Sequence, residues 1–83
     1  MDREKVYNLI EGERNYQDKR WDHTKEQDIA TPIANWILYM RFQLREAEKA
    51  VYFLDSTKAL ENIRKSTALG VACMEYNETP PRQ

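Results

Sequence analysis

Residues 32–54, with the sequence PIANWILYMRFQLREAEKAVYFL, decide the fold. Apolar side chains recur through this stretch at alternating intervals of four and three residues: Ile33, Ile37, Met40, Leu44, Ala47, Val51 and Leu54. This spacing is typical of a long amphipathic helix that packs against other helices. The side-chain oxygen of Thr can accept a hydrogen bond from a free backbone N–H at the start of a helix. Pro has no N–H of its own, so it leaves no donor unpaired at the first helical position. We therefore expect Thr31 as the N-cap and Pro32 as the first helical residue.

The flanking segments predict two further helices. Residues 2–20 carry a thin apolar stripe at helical spacing, and residues 57–77 carry a fuller one: Leu60, Ile63, Thr67, Gly70, Val71 and Met74. Residues 21–31 are polar and aperiodic, which predicts a loop, and residues 78–83 form a short proline-containing tail. The stretch from Asp55 to Thr57 offers capping side chains for the third helix.

So short a connection requires the second and third helices to form an antiparallel hairpin. The predicted fold is therefore a single all-α domain over residues 1–83. It consists of a short N-terminal helix and a long helical hairpin.

Composition excludes several classes of protein. The 83 residues carry 13 Lys and Arg against 14 Asp and Glu, a net charge of -1, whereas binding to a nucleic-acid polymer requires a basic excess. With 41% hydrophobic residues the chain is too apolar for a disordered segment. No apolar run approaches the roughly 18 residues that span a bilayer, and the first residues lack a signal-peptide pattern. We therefore expect a soluble, cytoplasmic protein with no membrane partner. The single cysteine excludes an internal disulfide framework and a cysteine-based zinc site.

The hairpin is apolar on two sides. On the second helix, Leu38, Phe42 and Phe53 point away from the 4-3 stripe, because successive residues are rotated by about 100°. A helix that is apolar on two sides must be buried on two sides, and one three-helix unit cannot cover both. We therefore expect a homo-oligomer, a dimer or larger, whose hairpins pair into a four-helix bundle. In the alternative, the first helix folds over the second apolar face.

Two charged pairs on the hairpin are candidates for ligand contact. Gln43 and Glu46 share one face of the second helix, and Glu61 and Arg64 share one face of the third. We expect the two pairs to approach one another across the hairpin. Four carboxylates in these places would make a Mg²⁺ site, but an amide and a guanidinium replace two of them. Arg64 would repel a divalent cation and can instead bind a phosphate group. In the alternative, all of these are ordinary surface charges.

Two further groups of cations lie outside these pairs. Arg41, Arg45 and Lys49 are four residues apart and line one face of the second helix, where they could bind a phosphate or an acidic partner, or remain solvated. Residues 13–21, ERNYQDKRW, interleave cations with aromatic rings, which can bind a phosphate and stack a base or can dock the first helix on the hairpin. The candidate ligand-binding residues are Arg14, Tyr16, Trp21, Trp36, Arg41, Gln43, Arg45, Glu46, Glu61 and Arg64.

Five stretches of the chain resemble a family of small bacteriophage and prophage helical proteins: residues 13–21, 36–38, 43–48, 59–64 and 68–75. That family in turn resembles the MazG-like all-α nucleoside triphosphate pyrophosphohydrolases. The resemblance implies that an EXXE motif and an EXXD motif on successive helices hold Mg²⁺. In this chain the motif positions are residues 43–46 and 61–64, and only Glu46 and Glu61 are retained.

The resemblance implies a nucleotide-binding cleft with impaired catalysis, in the cytoplasm of an infected bacterial host. The first hypothesis is a protein that sequesters a nucleotide-derived signalling molecule, such as a cyclic oligonucleotide or an ADP-ribose derivative. It would have no catalytic residues and no metal cofactor. The second is a reduced pyrophosphohydrolase in which Glu46 and Glu61 bind Mg²⁺. The third is a helical adaptor that binds another protein.

Overall fold

The computed structural model describes residues 1–20 and 25–82, without the side chains of residues 25, 26 and 29. Within these residues the chain forms α1 (Arg3–Arg20), α2 (Lys25–Ala30), α3 (Ile33–Tyr52) and α4 (Ser56–Tyr76), with no strand. The prediction of an all-α chain is therefore confirmed. The predicted bounds of the three long helices hold to within two residues at each end.

The segment before α3 corrects the prediction of a continuous loop over residues 21–31. Residues 25–30, KEQDIA, form the short helix α2, because the segment contains no Gly or Pro and consists mostly of good helix formers. Thr31 does not cap α3: its Oγ1 donates to the carbonyl of Gln27 at 2.9 Å and so serves the end of α2. Pro32, in extended conformation, is the N-cap of α3 rather than its first helical residue. Residues 21–24 of the predicted loop lie outside the described residues.

The turn between α3 and α4 is built from specific backbone contacts. Leu54 adopts the left-handed conformation, with φ of 59°. The amide of Asp55 donates to the carbonyl of Ala50 at 2.8 Å, and that of Leu54 donates to the carbonyl of Val51 at 2.9 Å. This pair of bonds is the Schellman arrangement that satisfies the last carbonyls of a helix. The Asp55 carboxylate then accepts from the amide of Lys58 at 3.0 Å, which confirms the predicted cap of α4.

The antiparallel hairpin is confirmed, but small residues rather than the large side chains of the 4-3 stripe bring its helices together. Ala47 and Ala50 of α3 pack with Ala59 of α4 in one buried cluster. Farther along, Ser66 Oγ donates to the carbonyl of Met40 at 3.2 Å. A Cβ atom added at Gly70 would lie 3.1 Å from the terminal carbon of Met40. Small side chains allow this close approach of the two backbones.

The predicted apolar stripes are therefore only partly buried. Of the α3 stripe, Ala47 is buried and Met40 half-buried, whereas Ile37 is 51% exposed and Val51 61% exposed. On α4 the buried residues are Ala59, Asn62, Ser66, Ala68, Leu69 and Ala72, none of which belongs to the predicted stripe. The larger side chains lie beside the line of contact between the helices. Large apolar side chains consequently remain exposed on both flanks of the hairpin.

Helix α1 packs on α4 through polar side chains. Its buried residues are Glu13, Arg14 and Gln17, and Gln17 Nε2 donates to the carbonyl of Lys65 at 3.3 Å. The alternative in which this helix covers the second apolar face of the hairpin does not describe the structure, because Phe42 on that face remains 59% exposed.

Candidate ligand-binding groove

A groove with a volume of about 570 Å³ opens between α2 and α3. Its walls are mainly apolar and aromatic, and polar groups line part of it. The lining residues are Gln27, Asp28 and Thr31 beside α2, Trp36, Leu38, Tyr39, Phe42 and Gln43 from α3, and Leu69 from α4. A concave, mainly apolar pocket of a few hundred Å³ with a small number of polar groups is the usual form of a small-molecule site.

Trp36 is the buried aromatic residue of the groove lining. It is 3% exposed and packs in a buried cluster with Leu69 and Ala72. The ring of Tyr76 stacks on it at a centroid distance of 6.3 Å, and Tyr39 meets it edge-on at 5.9 Å. Among the described residues, its buried Nε1 has no hydrogen-bond partner. Packing on several sides therefore holds the ring of Trp36 itself in one position.

Asp28 brings a carboxylate to the polar side of the groove. It is 7% exposed and lies on α2, which is a segment that sequence reasoning assigned to a loop. Burial, together with the charge of Asp28 and its hydrogen bond, raises the pKa of the Tyr76 hydroxyl above its ordinary value. The run of helix-forming residues before Thr31 was the signal that could have revealed α2. The partner Tyr76 lies 48 residues farther along the chain, so no local signal predicted this contact.

Several predicted ligand-binding residues lie in or near the groove. Trp36 and Gln43 line it directly. Arg41 and Arg45 are exposed on α3, and Arg45 follows Phe42 by three residues, so it lies on the next turn of the helix. Trp21 lies outside the described residues. Of the groove residues, Leu38 and Phe42 are predicted from the sequence only as part of a second apolar face.

Arg14 belongs to a different part of the molecule, the contact of α1 with α4. Its Nε and Nη2 donate to the two carboxylate oxygens of Glu75 at 3.1 and 3.0 Å. Its Nη1 lies 3.1 Å from a carboxylate oxygen of Asp18 and 3.4 Å from Oε1 of Gln17. Burial opposes the charge of Arg14, but Glu75 and Asp18 outweigh it and raise the pKa of the guanidinium. These contacts bind α1 to the hairpin.

Arg64 is also directed toward α1. Its Nε donates to Glu13 at 2.7 Å, and Glu13 is buried. Tyr16, which is 58% exposed, borders a separate depression of about 500 Å³ together with these two residues. Arg14 and Arg64 therefore both pair with carboxylates across the contact between α1 and α4.

The members of the two charged pairs of the hairpin have different surroundings in the structure. Gln43 lines the groove, whereas Glu46 pairs with Lys49 at 3.3 Å on its own helix. On α4, Glu61 is exposed and Arg64 is bound to Glu13. In the part of the chain that the structure describes, no three His, Cys, Asp or Glu side chains are grouped as metal ligands.

Comparison with known protein families, with curated proteins and with solved structures finds no match for this chain. Over the described residues, no helix combines the length and the apolar character needed to cross a membrane.

Proposed function

We propose that this protein binds a nucleotide-derived small molecule in the groove beside Trp36 and does not hydrolyse it. The observation that carries the proposal is the aromatic groove itself, whose volume of about 570 Å³ suits a nucleobase with its sugar. The resemblance to phage proteins and to MazG-like enzymes motivates the ligand class, of which cyclic oligonucleotides and ADP-ribose derivatives are examples.

The groove offers contacts to each part of such a ligand. Tyr39 and Phe42 are 47% and 59% exposed, so their rings are accessible to a base. Stacking of a base on an aromatic ring contributes about 1–3 kcal/mol. The amide of Gln43 can both donate to and accept from the edge of a base. Arg45, one turn beyond Phe42, can bind a phosphate that extends from the groove.

The position of the two retained carboxylates supports binding without hydrolysis. Efficient hydrolysis of a nucleoside triphosphate requires a metal ion that stabilises charge on the transferred group. Glu46 and Glu61 are the two retained carboxylates of the resembled motifs, but Glu46 pairs with Lys49 and the groove is lined by other residues. We therefore assign no catalytic residue and no metal cofactor.

Self-association is part of the proposal. The hairpin carries exposed apolar residues on both flanks, among them Ile37 at 51% and Leu38 at 57%. Pairing of two hairpins into a four-helix bundle would cover one flank, and a bound ligand would cover part of the other.

A binding and release experiment tests the function. The purified protein is mixed with nucleoside triphosphates, cyclic di- and trinucleotides and cyclic ADP-ribose isomers in the presence of Mg²⁺. The mixture is filtered, the retained protein is heated, and the released compounds are chromatographed. We expect one compound to disappear from the filtrate and to return intact after heating. Release of monophosphate and pyrophosphate would refute the proposal in favour of the enzyme, and passage of every compound would refute nucleotide binding.

A matched pair of variants tests whether the ligand binds in the groove. Phe42→Ala removes an exposed ring of the groove wall, and we expect it to weaken retention about tenfold, from the lost stacking. Phe53→Ala is the same chemical change on a 76% exposed ring that is not part of the groove lining, and it should leave retention unchanged. Equal effects of the two variants would contradict the assigned site.

A further inference from the structure

One flank of the hairpin is apolar along its whole length. We call it the seam face and define it by Ile33, Ile37, Leu44 and Val51 of α3 and Ile63 and Met74 of α4. Each of these side chains is between 44% and 61% exposed. A contiguous apolar surface of this kind usually marks a contact with another molecule.

The seam face and the ligand groove lie on opposite flanks of α3. Ile37 and Leu44 are rotated by about 100–160° from Leu38 and Phe42, which line the groove. The contact of Gly70 with Met40 brings the exposed stripe of α4 beside that of α3. An occupant of the seam face would therefore leave the groove open.

The spacing of the α3 residues indicates a helical occupant. Ile37, Leu44 and Val51 recur at intervals of seven residues, the repeat that keeps a line of side chains facing a partner helix, whereas Met40 and Ala47 between them pack toward α4. The face is two helices wide, and α3 is about 30 Å long. It therefore measures on the order of 600 Å², which approaches the ~800 Å² per partner of a stable interface.

Two charged residues beside the seam face determine which helix can bind there and whether it runs parallel or antiparallel to α3. Arg41 and Glu48 lie on the outer edge of the α3 stripe, three residues before and four residues after Leu44. Both side chains are exposed, and within the described part of the chain neither forms an ion pair. Charges at this edge position set the partner and the orientation of paired helices. The arrangement is complementary to itself when one copy is reversed about Leu44.

We propose that the seam face binds a second copy of this chain, with the two α3 helices antiparallel and related by a two-fold axis near Leu44. Each Arg41 then lies opposite Glu48 of the partner subunit, so the interface contains the same ion pair twice. Such reciprocity is the defining property of a two-fold interface. The two hairpins form a four-helix bundle with a ligand groove on each outer side. This assignment does not depend on what the groove binds.

Charge reversal with rescue tests the pairing. The molar mass is measured by sedimentation equilibrium over a series of protein concentrations, and we expect twice the 9.9 kDa of one chain. Arg41→Glu alone and Glu48→Arg alone should each raise the dimer dissociation constant about tenfold or more, because each places like charges opposite one another. The double variant Arg41→Glu, Glu48→Arg should return to within about threefold of the unmodified protein, because its pairs are opposite in charge again.

The control is Arg45→Glu, the same substitution on the same helix at about 100° from Leu44 and so outside the seam face, and it should change the dissociation constant less than Arg41→Glu does. Circular dichroism of each variant verifies that the helices are intact, since all three side chains are exposed. A monomeric mass at every concentration would overturn the proposal, and so would a mass above that of a dimer. Failure of the double variant to recover, or an Arg45→Glu effect equal to that of Arg41→Glu, would overturn the antiparallel pairing.

Discussion

Replacement of Glu75 by glutamine tests how α1 is held on the hairpin. The carboxylate of Glu75 receives two hydrogen bonds from Arg14 at 3.1 and 3.0 Å, and the variant removes its charge with little change in shape. The Arg14 side chain is 7% exposed and that of Glu75 is 45% exposed, so the pair lies between a surface ion pair and a buried one. Surface pairs contribute up to about 1 kcal/mol, whereas breaking a buried pair costs about 3–5 kcal/mol.

Because Asp18 and Gln17 still contact Arg14 in the variant, we expect a loss near the lower part of this range, about 1.5 kcal/mol. For a chain of this size that loss lowers Tm by about 6–12 °C. The assay is thermal unfolding followed by circular dichroism at a fixed protein concentration, since self-association would otherwise change the apparent stability. At about 1 M salt, where charges are screened beyond about 3 Å, the difference in Tm between Glu75→Gln and the unmodified protein should shrink.

Glu78→Gln is the matched control, because Glu78 is an exposed glutamate three residues away. It should leave Tm unchanged. In a background that carries Arg14→Met, Glu75→Gln should have little further effect, because the partner is gone. An unchanged Tm in Glu75→Gln, or an equal loss in Glu78→Gln, would refute the role assigned to this pair.

Three further predictions concern local structure. Gly12→Ala should raise the unfolding free energy by about 1 kcal/mol in chemical denaturation, because a Cβ atom at this position meets no atom within 4 Å. Gly70→Ala should raise the unfolding free energy by less, because its Cβ would lie 3.1 Å from the terminal methyl carbon of Met40. A lower stability of Gly12→Ala would contradict this reading. Asp55→Ala removes the cap of α4 and should lower Tm by roughly 4–8 °C, for a loss of about 1 kcal/mol; no loss would show that the cap is dispensable. Because burial and Asp28 raise the pKa of Tyr76, its stabilising contribution is fully present below the ordinary tyrosine pKa of 10.0 and is lost as pH rises through the higher folded-state value. Unfolding temperatures measured from neutral pH to above pH 10 should therefore fall less steeply for Tyr76→Phe than for the unmodified protein, and equal slopes would count against this role of Tyr76.

The amino-acid sequence by itself determined where the helices lie. Apolar periodicity, the capping carboxylate of Asp55 and the position of Pro32 act within a few residues of chain, and local signals of this kind can be recognised without a tertiary structure. The short connection at residues 53–55 likewise required a hairpin. The missed helix α2 was the exception, because six residues carry too little periodicity to distinguish a short helix from a polar loop.

Only the tertiary structure decided which side chains are buried and which charges meet. The large residues of the 4-3 stripe looked like a core, but Ala47, Ala50 and Ala59 form the helix contact, because two backbones approach most closely where small residues of both helices lie at the same level. That coincidence depends on the register of one helix against the other, which no local pattern specifies. Arg14 and Glu75 are 61 residues apart in the chain, and their ion pair exists only because α1 docks on α4. The ligand groove has the same origin, since its walls come from three helices that the fold brings together.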